Sequence, residues 1–391
     1  MTDATARYEA TLADSVTAVS AAEWNALSLD GVPFVQHAFL AALERSGAVG
    51  GTTGWRPRPL LLRQNGALVG AIPLYEKDHS YGEFVFDFAW AHAYAQHGLA
   101  YYPKLVAATP FTPATGPRLL AHPAAERDAV RAALGEALRA VLAQGQHSSV
   151  HVQFARADEV DALQSAGFMP RMDCQFLWEN RNYCDFDDFL ATFTADKRKK
   201  VKRERRRVAE SGIQHVWRRG GSLDEDEWRV VHALLATTFH RHGHEPYLPP
   251  AFFVEVSRDP LTEPRVLLAC QGDGVVAAAL FFQGDDTLYG RYWGCVADYH
   301  SLHFETCYHQ GVEYCIAEGL QRFEPGTQGE HKIARGFAPT LTHSAHSIAD
   351  PRFAAAIGRY LAAERDSIAT YYAQADEHTP FRRDTALALG P

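Results

Sequence analysis

RPLLLRQNGALVGAIPLYEKD (58–78) and EPRVLLACQGDGVVAAALFFQGDD (263–286) are the two stretches that decide how this chain folds. Each is a pair of apolar runs joined at a glycine-containing turn, Asn65-Gly66 in the first and Asp273-Gly274 in the second, which predicts a β-hairpin. At an offset of 207 residues they share Leu60/Leu267, Leu61/Leu268, Gln64/Gln271, Val69/Val276 and Ala71/Ala278. The elements read around each hairpin also recur in order: helix, hairpin, strand, helix, strand. The pattern predicts an internal duplication into two mixed α/β domains, residues 1–180 and 181–391, each a mixed central sheet flanked by helices.

In the first half the periodicity predicts helices over 33–46, 124–145 and 158–167 and strands over 104–113, 148–154 and 172–180. The aromatic-rich stretch 84–104 carries no clear period. In the second half it predicts helices over 224–243, 249–259, 303–319 and 351–374. TLYGRYWGCV (287–296) reads as a central strand beside a ligand pocket, although Tyr289, Tyr292 and Trp293 would equally suit a core.

At 391 residues the chain is long enough for two domains, and its 47% hydrophobic content can build a core in each. Six cysteines show no CxxC spacing, which fits free thiols in a reducing compartment. The start, MTDATARYEATLADS, lacks the basic flank and apolar core of a secretory signal, and no apolar run reaches membrane-spanning length. These features predict a cytoplasmic protein. The net charge of -9 hides an asymmetry: KRKKVKRERRR (197–207) carries +8, leaving -17 for the remainder.

That basic run lies in a predicted helix over 186–212, where Phe189, Phe193, Val201 and Val208 form a thin apolar stripe. Lys197, Arg198, Lys199, Lys200, Lys202 and Arg203 are candidate phosphate ligands. A solvated helix braced by Glu204 and Glu210 is the plainer reading of the same charges.

A second polar concentration is QRFEPGTQGEHKIARGF (321–337), with an acid, an imidazole and two cations at Glu330, His331, Lys332 and Arg335, among Gly326, Gly329 and Gly336. It reads either as a shaped functional loop or as a solvated turn. Glu305, His309 and Glu313 share a helix face at i, i+4, i+8, a spacing that surface pairing produces more often than a metal, and no metal site is assigned.

The combination of LYGRYWGC, HFETCYHQGVEYCIAEGLQRFEPGTQGEHKIARGF and KRKKVKRERRR resembles the FemAB-like predicted N-acyltransferases, a family labelled peptidoglycan biosynthesis/recognition within the GNAT superfamily. The resemblance runs from about Ser28 to Arg383. It implies two tandem GNAT-like acyltransferase domains, with the active cleft in the second. It also implies transfer of an acyl or aminoacyl group to an amine of a small molecule or peptide, such as a cell-wall precursor. Acyl-coenzyme A and aminoacyl-tRNA are the two candidate donors. The segment ADYHSLHFET (297–306) lacks the glycines with which GNAT enzymes hold the coenzyme A pyrophosphate, whereas tRNA would suit the basic helix. For the chemistry, Glu330, His331, Glu305 and His303 are the candidate catalytic residues. Arg291, Tyr289, Trp293, Lys332, Arg335 and Glu324 are candidate substrate ligands. A non-catalytic module that recognises a peptidoglycan precursor or RNA is the alternative reading.

Overall fold

The structure is a computed structural model and describes residues 8–28, 31–327 and 329–382. Residues 1–7 of the N-terminal stretch read for a targeting signal, Gln328 in the 321–337 segment, and Arg383 lie outside the described residues. In chain order the elements begin with β1 (Tyr8–Leu12), α1 (Ala21–Asn25), α2 (His37–Arg45), β2 (Trp55–Pro57), β3 (Leu60–Gln64), β4 (Ala67–Ile72) and β5 (Leu74–Lys77). There follow α3 (Phe88–Gln96), β6 (Lys104–Ala107), β7 (Leu120–Ala121), α4 (Arg127–Leu142), β8 (Ser149–Ala155), α5 (Ala157–Ser165) and β9 (Met169–Glu179). Next come α6 (Phe186–Ala191), α7 (Ala195–Glu210), β10 (Ile213–Arg219), α8 (Glu225–Arg241), α9 (Pro250–Val256), β11 (Arg265–Gln271), β12 (Gly274–Gln283) and β13 (Thr287–Cys295). The chain closes with α10 (Leu302–Phe304), α11 (Gln310–Ala317), β14 (Arg322–Glu324), β15 (Ala338–Ile348) and α12 (Pro351–Glu377).

Two compact units result. One holds the described residues up to Asp173 with Thr342–Ile368; the other holds Cys174–Leu341 with the described residues from Ala369 onward. This differs from the contiguous split at residue 180, because 342–368 returns to the first unit. The reason is burial: Ile348, Ile357 and Leu361 share a core cluster with Trp90, Tyr94 and Tyr101.

Both hairpins form. β3 pairs β4 and β11 pairs β12, each antiparallel. In each unit a helical crossover then joins two parallel strands, β6 to β8 through α4 and β13 to β14 through α10 and α11. The repeats diverge at Pro73. In the second unit the ten-residue β12 pairs with β11 and then with β13. In the first, Pro73 separates β4, which stays with β3, from β5, which pairs with β6. Proline has no N–H for the ladder, so the strand divides there.

Other differences from the sequence reading have local causes. The helix expected over 186–212 is two, because Phe193 bridges to Phe381 and the Thr194 N–H donates to the Pro380 carbonyl at 2.9 Å. The helix expected over 303–319 contains a π turn at Glu305–His309, a distortion that is frequent at functional sites. The unassigned 84–104 stretch contains α3, and β10 and β15 went unread.

The second unit's core includes Trp178, Phe189, Phe193, Leu288, Tyr308, Phe323 and Phe337. α8 packs so closely on β13 that a Cβ at Gly294 would overlap the Leu234 carbonyl oxygen. Neither partner can yield, since both are backbone of regular elements. Gly294→Ala is therefore expected to cost on the order of 2 kcal/mol or more, within the range for overpacked sites. Thermal unfolding checks this; an unchanged midpoint would show that the helix is free to shift.

Candidate functional site

Three candidate residues of the second unit, Tyr289, Arg291 and Glu324, lie where β13 and β14 part. The two strands pair in parallel over only Thr287–Tyr289 and Arg322–Glu324. β14 ends there and the chain turns at Pro325-Gly326, while β13 continues to Cys295. At the parting β13 carries a β-bulge: its register against β12 passes from Leu280↔Tyr292 to Phe281↔Gly290, which makes Arg291 the extra residue. Bulges re-aim side chains and recur beside active sites. Burial pushes the Arg291 guanidinium pKa down, and the Tyr292 hydroxyl, followed by the charge of Glu324, partly opposes that. Beyond the parting, the β13 edge is met by α8. Thr238 donates its hydroxyl to the Trp293 carbonyl at 2.5 Å, and the Cys295 N–H donates to Thr237 at 3.2 Å.

Glu330–Arg335 is a 3-10 turn rather than open loop, tied by Lys332 to the carbonyls of Gly326 and Thr327 that follow β14. Gly326, Gly329 and Gly336 all have positive φ, as their composition suggested. Gly336 has a further reason to lack a side chain: a Cβ there would press on the Phe189 and Phe193 rings.

The four polar residues of the turn have different environments. Glu330 is exposed and accepts a hydrogen bond from the Tyr371 hydroxyl at 3.1 Å. His331, also at the surface, has its Nε2 2.9 Å from the Tyr308 hydroxyl. Lys332 is only 2% exposed, and its ammonium nitrogen donates to the carbonyls of Gly326 at 2.7 Å and Thr327 at 3.1 Å. Burial lowers its pKa to about 7. Arg335 is buried with its guanidinium 3.4 Å over the Phe304 ring. It donates to the His331 carbonyl at 2.6 Å and to Glu204 Oε1 at 2.7 Å.

His303 joins this group from the crossover helix. Its ring packs against Trp293, Phe304, Tyr308 and His331 at centroid distances of 5.3–6.1 Å. Burial first, then the neighbouring basic groups of His331, Lys332 and Arg335, lower its pKa to about 4. The same two influences, burial and the neighbouring Lys332 and Arg335, hold His331 below its ordinary value. Both imidazoles are therefore neutral at pH 7, as a proton acceptor must be.

The structure thus brings together Trp293, His303, His331, Lys332 and Arg335, while Arg291 lies against Tyr292 with its guanidinium carbon 5.4 Å from that ring. Tyr289 is buried in the core, with its hydroxyl pKa pushed up by burial, and Glu324 stands half-buried at the end of β14. Glu305 belongs elsewhere. Its carboxylate accepts from Arg205 at 3.2 Å and Gln310 at 2.8 Å, so it braces α7 instead of joining His331. Glu313 accepts from the same Arg205 at 2.6 Å, and His309 lies 3.3 Å from Glu204. The i, i+4, i+8 face is thus a docking face for α7.

The basic helix is two-sided. Lys197, Lys199, Lys200, Lys202 and Arg203 are exposed and Arg198 is half-buried. The side chains of Arg198, Lys199, Lys200, Lys202, Arg203 and Arg206, with Asp196, border an open hollow of about 600 Å³. Lys202 also pairs with Asp187 at 2.8 Å. Inward lie Val201, Glu204 and Val208. Burial pushes the Glu204 pKa up, but hydrogen bonding to His309 and the Arg335 charge outweigh that and keep it ionised.

Arg205 and Tyr308 escaped the sequence reading, which took Glu204 only as the brace of a solvated helix. For Glu204 the signal existed, since Val201, Glu204 and Val208 are spaced i, i+3, i+7 and must share a face.

The strand order and the repeated crossover define a mixed α/β protein of two units. The chain belongs to the FemAB-like family, described as peptidoglycan biosynthesis/recognition, which it matches over residues 15–383. Among solved structures it is similar to a conserved protein of unknown function from Bacteroides thetaiotaomicron. That match has 9% identity and a TM-score of 0.51, over 86% of this chain and 98% of the other. L-PGS from Bacillus licheniformis matches at 9% identity and TM-score 0.50, over 85% and 96%. A structure of FemX matches at 11% identity and TM-score 0.47, over 76% and 89%. At such identities the likeness speaks for the fold alone. No match to a curated protein was found. Among the described residues no helix is long and apolar enough to cross a membrane.

The depressed Lys332 pKa gives a signed prediction. Between about pH 7 and the ordinary lysine value of 10.5 the unfolded chain holds the proton that the folded chain has released. Stability must then climb with pH across that window, by at most about 1.4 kcal/mol per pH unit. Below pH 7 both states are protonated and the cost of burying the ammonium is fully present. In Lys332→Met the climb is expected to lose the Lys332 share and keep that of Lys77, whose pKa burial also lowers to about 7. Denaturant titrations of both proteins from pH 6 to 10 measure it, and parallel curves would contradict the assignment.

Proposed function

We propose that the second unit transfers an acyl or aminoacyl group to an amine, with the reacting carbonyl lying where β13 and β14 part. The observation that carries this reading is the β-bulge at Arg291 beside the separated strands. Past it β13 and β14 no longer pair, and Trp293 of β13 packs on His303, which packs in turn on His331. An extended acyl chain can lie along such a strand edge as an added strand does. The amine nitrogen attacks the carbonyl carbon, the N–C bond forms, the bond to the donor's oxygen or sulfur breaks with its electron pair on that atom, and the proton lost from nitrogen ends on it, releasing an alcohol or thiol. His331 is suited to take the ammonium proton. With Nε2–H donated to the Tyr308 oxygen, its Nδ1 lone pair is the acceptor. Arg291 is the candidate partner for the oxyanion, and orientation of the two reactants supplies much of the rate.

For the donor, the exposed cations of α7 favour a polyphosphate such as aminoacyl-tRNA, and the glycine-free 297–306 segment counts against coenzyme A. Peptidoglycan precursors are the acceptor class that the family's description suggests. A non-catalytic recognition role is the second reading. It is favoured by the threonines of α8, which occupy two of the β13 edge groups that a bound chain would otherwise use.

The test uses labelled aminoacyl-tRNA and labelled acyl-coenzyme A with a cell extract as acceptor source. Transfer is expected from one donor, falling about 100-fold or more in His331→Ala and falling also in Lys332→Ala and Glu330→Ala. Full activity in all three variants would overturn the site; binding without transfer would support the recognition reading. Separately, tRNA retention by the protein is expected to fall steeply between low and moderate salt. Reversing Lys199 and Lys200 to glutamate should reduce both the affinity and its salt slope, and filter binding at several salt concentrations measures this. Salt-independent retention would exclude the helix as the contact.

A further inference from the structure

A hollow of about 290 Å³ in the second unit is lined by Lys197, Glu330, Ile333, Ala334, Tyr371, Gln374, Ala375 and His378. Three segments build it: the first turn of α7, the 3-10 turn 330–335, and the last turns of α12. Lys197 and Glu330 carry opposite charges and border the same space, yet among the described residues neither forms an ion pair. Opposite charges free to meet at a surface generally do so. Here they are held apart on separate elements, and Glu330 is steadied by the Tyr371 hydroxyl at 3.1 Å. His378 adds a defined polarity. Its Nδ1 lies 2.7 Å from the Gln374 carbonyl, which can only accept, so Nδ1 carries the proton and Nε2 is left as an acceptor. Ile333 and Ala375, both buried, and half-buried Ala334 supply an apolar part. The volume is at the lower end for ligand pockets.

We infer that this hollow binds the ammonium and carboxylate of an amino-acid-type ligand. Glu330 and the His378 Nε2 accept from the ammonium, Lys197 donates to the carboxylate, and a short side chain covers Ile333 and Ala334. The binding claim stands on the pocket alone. That the ligand is the amine acceptor of the transfer reaction rests on the proposed function. The inference reassigns Lys197 from phosphate contact to acceptor contact. It gives Glu330 a recognition role, distinct from the proton transfer at His331.

Binding is measured without any acyl donor, so a failure of the transfer reading leaves the result interpretable. The full-length protein is titrated by calorimetry and by NMR line broadening with L-alanine and L-lysine, and with n-butylamine and butyrate as single-charge controls. The two zwitterions are expected to bind, with affinity falling about tenfold in each of Lys197→Met and Glu330→Gln, as loss of a charged hydrogen bond implies. Both side chains are exposed, so the variants should unfold at the wild-type temperature. Three results would overturn the inference: no binding of either amino acid, binding indifferent to both substitutions, or butylamine bound as tightly as L-alanine.

Discussion

Glu204 is the pivot of the second unit. Its carboxylate, buried within the basic helix, accepts from Arg335 at 2.7 Å and lies 3.3 Å from His309. One side chain thereby joins α7, the π turn of the crossover helix and the 3-10 turn that carries His331 and Lys332. Removing one partner of such a pair leaves a buried charge uncompensated, which is far more costly than losing a surface contact. Arg335 extends the tie by donating to the His331 carbonyl, so the position of the imidazole depends on an acid two elements away.

This arrangement accounts for the unusual composition of α7. A helix with nine cations in eleven residues repels itself, and its inner face offsets this locally. Arg205 reaches Glu305 and Glu313, Glu204 reaches Arg335, and Val201 and Val208 enter the core. What remains is an outer face that is almost wholly cationic. A polyanion bound there would contact the same helix that holds the His331 turn through Glu204 and Arg335. Lys197 stands apart, since it borders the hollow with Glu330 at the start of the helix.

Much of the fold was readable because burial imposes period. The hairpins at 58–78 and 263–286 and the amphipathic helix α4 follow from alternation and from 3.6-residue spacing. The 321–337 segment was legible as a glycine-shaped polar turn from its charges and glycines, and the structure brings Tyr308 and His303 to its His331, with Trp293 behind His303. Long-range constraints were not legible. Nothing local to Phe193 announces that Phe381 will break the helix there. Likewise, no local signal says that Ile348 and Leu361 return to pack with Trp90, or that Glu305 faces Arg205 instead of His331. The bulge at Arg291 is a matter of register between two strands, and a single strand's sequence does not contain it.

The central claim is that acyl transfer takes place where β13 and β14 part. A crystal structure with a stable donor mimic, either an amide-linked aminoacyl-RNA or a thioether of acyl-coenzyme A, tests it most directly. The account predicts the mimic's carbonyl beside Gly290–Tyr292 and within reach of His331, with its phosphates on the outer face of α7 in the RNA case. A mimic bound elsewhere, with the β13–β14 opening empty and His331 remote from the carbonyl, would contradict it.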